Sequence, residues 1–171
     1  MATLHLISGM PCSGKSTYAK ALRADANCVL FVLDRWLITA FGKYELAVIG
    51  HEEHTRRVLA SRELIWEAAS ELLRRSVDVV LDDGFFLRHH RMRHVALAAE
   101  VGATTKIHHV DTPVELIGAR LEKRNANLPA FNFRIDPESL IGFNALFEPP
   151  SSSEGAEVVV INEADGGKRW M

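Results

Sequence analysis

Apolar residues in this chain fall into two kinds of run. Short, nearly continuous ones recur at Thr3–Ser8, Cys28–Leu33 (CVLFVL), Val77–Leu81 (VDVVL), Ala103–Val110 and Glu157–Ile161 (EVVVI). Strand-length apolarity without polar alternation predicts strands covered on both faces, as in a parallel sheet. The stretches between them have helical character. Ser16–Ala24 follows the first strand, and Asp34–Phe41 stops at Gly42. Glu52–Arg75 puts Val58, Leu59, Ile65, Ala68, Leu72 and Leu73 on one stripe opposite its charges. Leu87–Val101 closes at Gly102. Thr112, Pro113 and Glu115 predict a helix start, with a capping Thr, Pro at the first helical position and Glu three residues after the cap. That helix is expected to reach about Asn125. Leu128–Ile135 reads as irregular, Asp136-Pro137 opens a last helix ending near Phe147, and Pro149–Gly155 is a turn-rich loop. The tail is polar until Trp170. Strands alternating with helices, with no repeat and no linker, predict a single α/β domain over residues 1–171.

Composition narrows the class. With 171 residues, 47% hydrophobic and 25% charged, the chain can bury roughly two thirds of its unfolded surface and needs no disulfide or structural metal. Twenty basic against 22 acidic side chains give a net charge of −2, which supplies no long-range pull on nucleic acid. Cys12 and Cys28 lack CxxC spacing and read as reduced thiols. No basic segment precedes the first apolar run, as a signal peptide would require, and no apolar stretch approaches the roughly 20 residues that span a bilayer. A cytoplasmic protein without membrane contact is expected.

Residues 9–16 read G-M-P-C-S-G-K-S, a full GxxxxGK[ST] match placed directly after a predicted strand and opening a helix. The glycines let backbone N–H groups wrap a β-phosphate. Lys15 brings a point charge to the β- and γ-phosphates, and Ser16 can ligate Mg²⁺. Gly9, Met10, Pro11, Cys12, Ser13, Gly14, Lys15, Ser16 and Thr17 are therefore expected to bind ATP with Mg²⁺. Cys12 sits at a variable position, as a small filler.

Ligands of open α/β sheets lie beyond the carboxyl ends of the strands. Asp34, the Asp82–Asp83 pair and Asp111 stand at such ends. Asp111 reads as part of the following helix start. Asp82 or Asp83 can act as the acid that positions hydrated Mg²⁺, with Asp82 the metal candidate beside Ser16. Asp34 can take the proton of an acceptor hydroxyl; it can equally cap the helix it begins. Arg120 and Arg124 share one helix face just before the irregular stretch, as a lid closing over transferring phosphates would require; the lid is expected over about 120–136. Arg88, in the basic run Arg88–His94, is a candidate for gripping an anionic acceptor, with Arg91 three residues on pointing the same way. His51-Glu-Glu-His54 lacks metalloprotease register and reads as a polar helix start.

GMPCSGKST at 9–17, VLD at 32–34, VVLDDGFFLRHHR at 79–91, ARLEKRN at 119–125 and FEPP at 147–150 together resemble the small P-loop kinases grouped with zeta toxins, chloramphenicol phosphotransferase and the kinase domain of phage polynucleotide kinase. The resemblance implies a three-layer P-loop NTPase fold with a five-stranded parallel sheet of order 2-3-1-4-5 and a small helical lid. It also implies a catalytic Asp at Asp34 and lid arginines at Arg120 and Arg124. Polynucleotide kinases commonly carry an acceptor-binding Arg three residues after that Asp; here position 37 is Leu. The expected function is an ATP-dependent kinase acting on a small-molecule hydroxyl acceptor through Asp34, Lys15, Arg120 and Arg124, and nucleic acid is not expected as a partner. A polynucleotide 5′-hydroxyl kinase and a non-catalytic ATP-binding regulatory module are the alternatives.

Overall fold

A computed structural model describes residues 1–25 and 28–162; Trp170 and the rest of the polar tail lie outside the described residues. The elements run β1 (Thr3–Ser8), α1 (Lys15–Asp25), β2 (Cys28–Val32), α2 (Leu33–Phe41), α3 (Leu46–Arg74), β3 (Asp78–Gly84), α4 (Arg88–Glu100), β4 (Thr104–Asp111), α5 (Val114–Ala126), α6 (Ser139–Leu146) and β5 (Glu157–Asn162). One 3₁₀ turn, Ser152–Glu154, precedes β5.

All strand pairs are parallel, and the sheet order is β2-β3-β1-β4-β5. This is the expected P-loop kinase sheet. Leu4, Leu6 and Ile7 of β1 and Val79 and Val80 of β3 are fully buried. One apolar cluster joins these strands to Leu37 of α2 and to Ile65, Ala69 and Leu73 of α3. A smaller one sets Tyr18 and Ala19 of α1 against Ile7, Val80 and Val110.

The local readings needed four corrections. The CVLFVL run is not covered on both faces: β2 is an edge strand in which only Phe31 is buried, because apolarity alone does not separate an edge from a centre. Helix α3 starts at Leu46, six residues early, and bends at Gly50, whose φ of 80° is left-handed. Its buried positions include Ser61, Ile65, Ala69 and Leu73, while Leu59 stays 49% exposed. His51 and His54 lie inside it, past the bend, rather than at its start. Finally, Thr112 does not cap α5. Pro113 is the N-cap, and the Thr112 hydroxyl instead donates to Ser13 O at 2.9 Å, tying β4 to the loop after β1.

Candidate active site

The loop after β1 turns through three left-handed residues, Gly9 (φ 152°), Cys12 (φ 61°) and Gly14 (φ 97°). Gly9 is required on space as well, since a Cβ there would stand 2.7 Å from Val110 O. Gly9 N–H donates to Gly84 O at 3.2 Å, Ser13 N–H to Met10 O at 3.2 Å, and Lys15 Nζ to Met10 O at 2.6 Å. The loop is thus pre-formed against β3 and β4. The Ser13 hydroxyl is buried with no hydrogen-bond partner among the described residues.

This loop forms one wall of a 640 Å³ cavity at the carboxyl ends of the strands. Pro11 to Thr17 line it, together with Asp34, Asp82, Asp83, Arg120 and Arg124. Gly9 and Met10 lie buried beneath and do not line it. Arg88 stands apart from the cavity: its side chain is exposed and donates to Ser153 Oγ at 3.1 Å. Arg91 does not point with it. It is fully buried, forks onto Glu154 with two 2.7 Å bonds and donates to Phe85 O and Phe86 O.

The acidic pair divides by face, as successive strand residues must. Asp82 accepts a 2.7 Å bond from Ser16 Oγ, while Asp83 turns to Arg62 of α3 and is held by two bonds of 2.7 and 2.8 Å. Among the described residues no group of three or more His, Cys, Asp or Glu could hold a metal ion. Ser16 and Asp82 offer two hard oxygen donors side by side, which fits Mg²⁺, a cation that keeps several waters and shares phosphate oxygens.

Asp34 sits in the first turn of α2, half-buried, where Val32 is the N-cap and no side chain caps the helix. Burial pushes its carboxyl up to about 6; neighbouring Asp82 adds to this, and Lys15 and Arg124 oppose it. Burial lowers the Lys15 ammonium, against the pull of Asp82 and Asp34. Leu37, at the position where an acceptor-binding Arg would stand, is buried in the core, and Arg35 lies 5.1 Å over the Phe131 ring.

Arg120 reaches over the loop, its Nη1 3.9 Å from where a Gly14 Cβ would be. Arg124 donates to Phe133 O at 3.2 Å, and its Nε is buried without a hydrogen-bond partner among the described residues. The segment after α5 folds back over the cavity, with Asn125 Nδ2 donating to Ile135 O at 2.7 Å and Lys43 Nζ to Pro129 O at 3.2 Å. Tyr44 and Phe133 meet at 4.8 Å between centroids. Sequence reasoning missed Arg62, Phe86 and Phe143 at this site. An arginine mid-helix and two phenylalanines carry no local mark; only the tertiary fold brings the two rings into the cleft and sets Arg62 behind it on Asp83.

A family model described as an AAA domain matches residues 4–150. No curated protein matches the chain. Among solved structures, one described as a candidate kinase from Chloroflexus aurantiacus superposes with a TM-score of 0.78 at 15% identity, covering 98% of this chain and 92% of that one. Kti12 from Chaetomium thermophilum, solved with ADP-AlF3, gives 0.71 at 17% identity, over 97% and 92%. A chain of the Pnkp1/Rnl/Hen1 RNA repair complex gives 0.63 at 23% identity, over 82% of this chain and 42% of that one. At such identities the likeness is one of fold.

Proposed function

This chain belongs to the AAA-domain family whose model spans residues 4–150, and on that premise we propose that it is an ATP-dependent kinase transferring the γ-phosphoryl group to a hydroxyl of a small-molecule acceptor. The observation that carries the reading is Asp34. It is a half-buried carboxyl that caps no helix, shares a cavity with Lys15, Arg120 and Arg124, and is raised to about 6. A base with such a pKa is ionised at neutral pH yet basic enough to accept a proton.

In the transfer, Asp34 takes the hydroxyl proton as the acceptor oxygen bonds to the γ-phosphorus. The bond from that phosphorus to the β–γ bridging oxygen breaks, and ADP leaves with the electron pair. Lys15 meets the β- and γ-oxygens, and Arg120 and Arg124 meet charge that grows on the moving group. Mg²⁺ held at Ser16 and Asp82 would neutralise the phosphate oxygens. The segment over the cleft excludes water, which would otherwise compete as acceptor. A regulatory module that only reports its nucleotide state has no use for a raised carboxyl at this place. A polynucleotide kinase would need a cation where Leu37 is buried.

The test is Asp34→Asn. Mg·ATP affinity by calorimetry should stay within a few-fold, while acceptor phosphorylation falls about 100-fold or more. Turnover at the wild-type level with ATP still bound would sink the mechanism.

A further inference from the structure

A second hollow of 210 Å³ opens between α3 and α4, and its wall is shared with the nucleotide cleft at Asp83 and Phe86. Its floor and sides include Leu59, Trp66, Leu87 and Leu97. Charged groups are present but engaged with each other. Arg62 is forked onto Asp83, and Arg93 donates to Glu63 at 3.1 Å. His90 stacks on Phe85 with centroids 4.9 Å apart, and burial drives its pKa down to about 2, so it is uncharged near neutrality. Leu59 is 49% exposed at the rim.

On the cleft side of Phe86 the chemistry is the same. Phe143 lies 5.6 Å from Phe86 between ring centroids, and Ile135 and Leu33, the neighbour of Asp34 in sequence, add apolar lining to the same cavity. The cations that line the cleft among the described residues are Lys15, Arg120 and Arg124, which the kinase reading assigns to the transferring phosphates. Other arginines nearby are committed elsewhere: Arg35 lies over Phe131, and Arg57 lies over Phe41 and Tyr44 and is bonded to Glu53.

We infer that the acceptor is an uncharged alcohol with an extended apolar body, its hydroxyl at Asp34 and its far end in the α3–α4 hollow past Phe86. This rests on the kinase reading for the position of the hydroxyl, and on the shared wall and paired charges for the body. An anionic far end would meet Asp83 and Glu63, and the two guanidiniums that line the hollow among the described residues, Arg62 and Arg93, are already bonded to those carboxylates. An apolar one gains from each methylene it removes from water, roughly three- to fourfold in affinity per group.

The experiment uses the full chain with Mg·ADP present and leucine methyls labelled for NMR. The probes are 2-phenylethanol, 4-phenylbutan-1-ol and 4-(4-hydroxybutyl)benzoate. The butanol should shift the Leu59 and Leu97 methyls saturably and bind about tenfold tighter than the ethanol, and the benzoate should bind at least tenfold more weakly than the butanol. Leu59→Glu should weaken the butanol about tenfold. Leu64→Glu, on the same helix but outside the hollow, should not. Absence of methyl shifts, or a benzoate that binds as well as the neutral alcohol, overturns the proposal. ADP release is followed in parallel with Mg·ATP. Hollow binding without ADP release above the no-acceptor baseline leaves the subsite standing and refutes the kinase reading. Phosphorylation of an alcohol that moves neither methyl and ignores Leu59→Glu keeps the kinase and overturns the subsite.

Discussion

Replacing Asp34 by Asn should make the unliganded protein more stable at pH 8 while it cuts turnover about 100-fold or more. The carboxyl ionises at about 6 in the fold against 3.8 when free, chiefly because burial disfavours its charge and Asp82 repels it. A folded pKa above the unfolded one means that the native state holds the proton longer. Stability from this group is complete below about 3.8 and is lost as pH rises through about 6. The gap of about two units corresponds to roughly 3 kcal/mol at most. The amide carries no charge to desolvate, so the variant escapes this loss and should melt up to roughly 10 °C higher at pH 8. At pH 3.5 both proteins hold a neutral group here and the difference should vanish. Urea titrations of wild type and Asp34→Asn across that range measure both limbs. If the two proteins have equal midpoints at pH 8, the carboxyl is not held under electrostatic strain, and the basis for its role as base is gone. If the variant is less stable at every pH, Asp34 acts as a helix-start residue after all.

Lys15→Ala should abolish tight ATP binding in calorimetry with little change in melting temperature, since Lys15 gives up one bond to Met10 O and opens no core cavity. Arg91→Met should cost about 3–5 kcal/mol in urea unfolding because it strands the buried Glu154 carboxylate, and the double replacement with Glu154→Met should recover most of that loss. His108 is buried, linked to His5 at 2.8 Å and to Tyr18 at 2.7 Å, and its pKa is depressed to about 4 by burial. The unfolded chain protonates first on acidification, so stability should fall between about pH 6.5 and 4. His108→Gln should flatten that slope in pH-dependent unfolding.

The sequence was informative where one residue type has few alternatives. Gly9, Gly14 and Lys15 in fixed spacing mark the loop that turns at positive φ through both glycines, and the strand-end acids mark which side of the sheet carries the cleft. Thr112 was misread because Thr-Pro-x-Glu satisfies every local rule for a cap, yet a carbonyl 99 residues away, Ser13 O, takes its hydroxyl. Arg91 was misread as pointing with Arg88 because three-residue spacing puts both on one helix face, but Glu154, its partner, lies 63 residues on. The choice between Asp82 and Asp83 was open until Arg62 of α3 claimed one of them. In each case the deciding partner comes from another element, and no window along the chain contains it. Strand order came from the resemblance alone, because apolar runs do not record their neighbours.

The two sides of the cleft are held with unequal strength, and this sets a last prediction. At the end of β3, Gly84 O, Phe85 O and Phe86 O accept bonds from Gly9 N–H, the Ser8 hydroxyl, Arg91 and Glu148 N–H, so the phosphate side is fixed from β1, α4 and the segment before β5. The covering segment is held to the α2–α3 side by one exposed bond from Lys43 to Pro129 O and by the contacts of Arg35 with Phe131 and Tyr44 with Phe133. An exposed cation–π contact is worth about 0.5–1 kcal/mol and an exposed hydrogen bond about as much. Removing both with Arg35→Ala and Lys43→Met should shift closure by about 1–2 kcal/mol, or roughly 5–30-fold toward the open form. Neither residue lines the nucleotide cavity. ADP release in stopped flow should therefore accelerate by that order, and hydrogen exchange over residues 128–135 with ADP bound should speed up in step. Unchanged release together with unchanged exchange would show that these two contacts do not hold the segment closed, and that the remaining ties, Tyr44 on Phe133, Arg124 to Phe133 O and Asn125 to Ile135 O, keep it over the cleft.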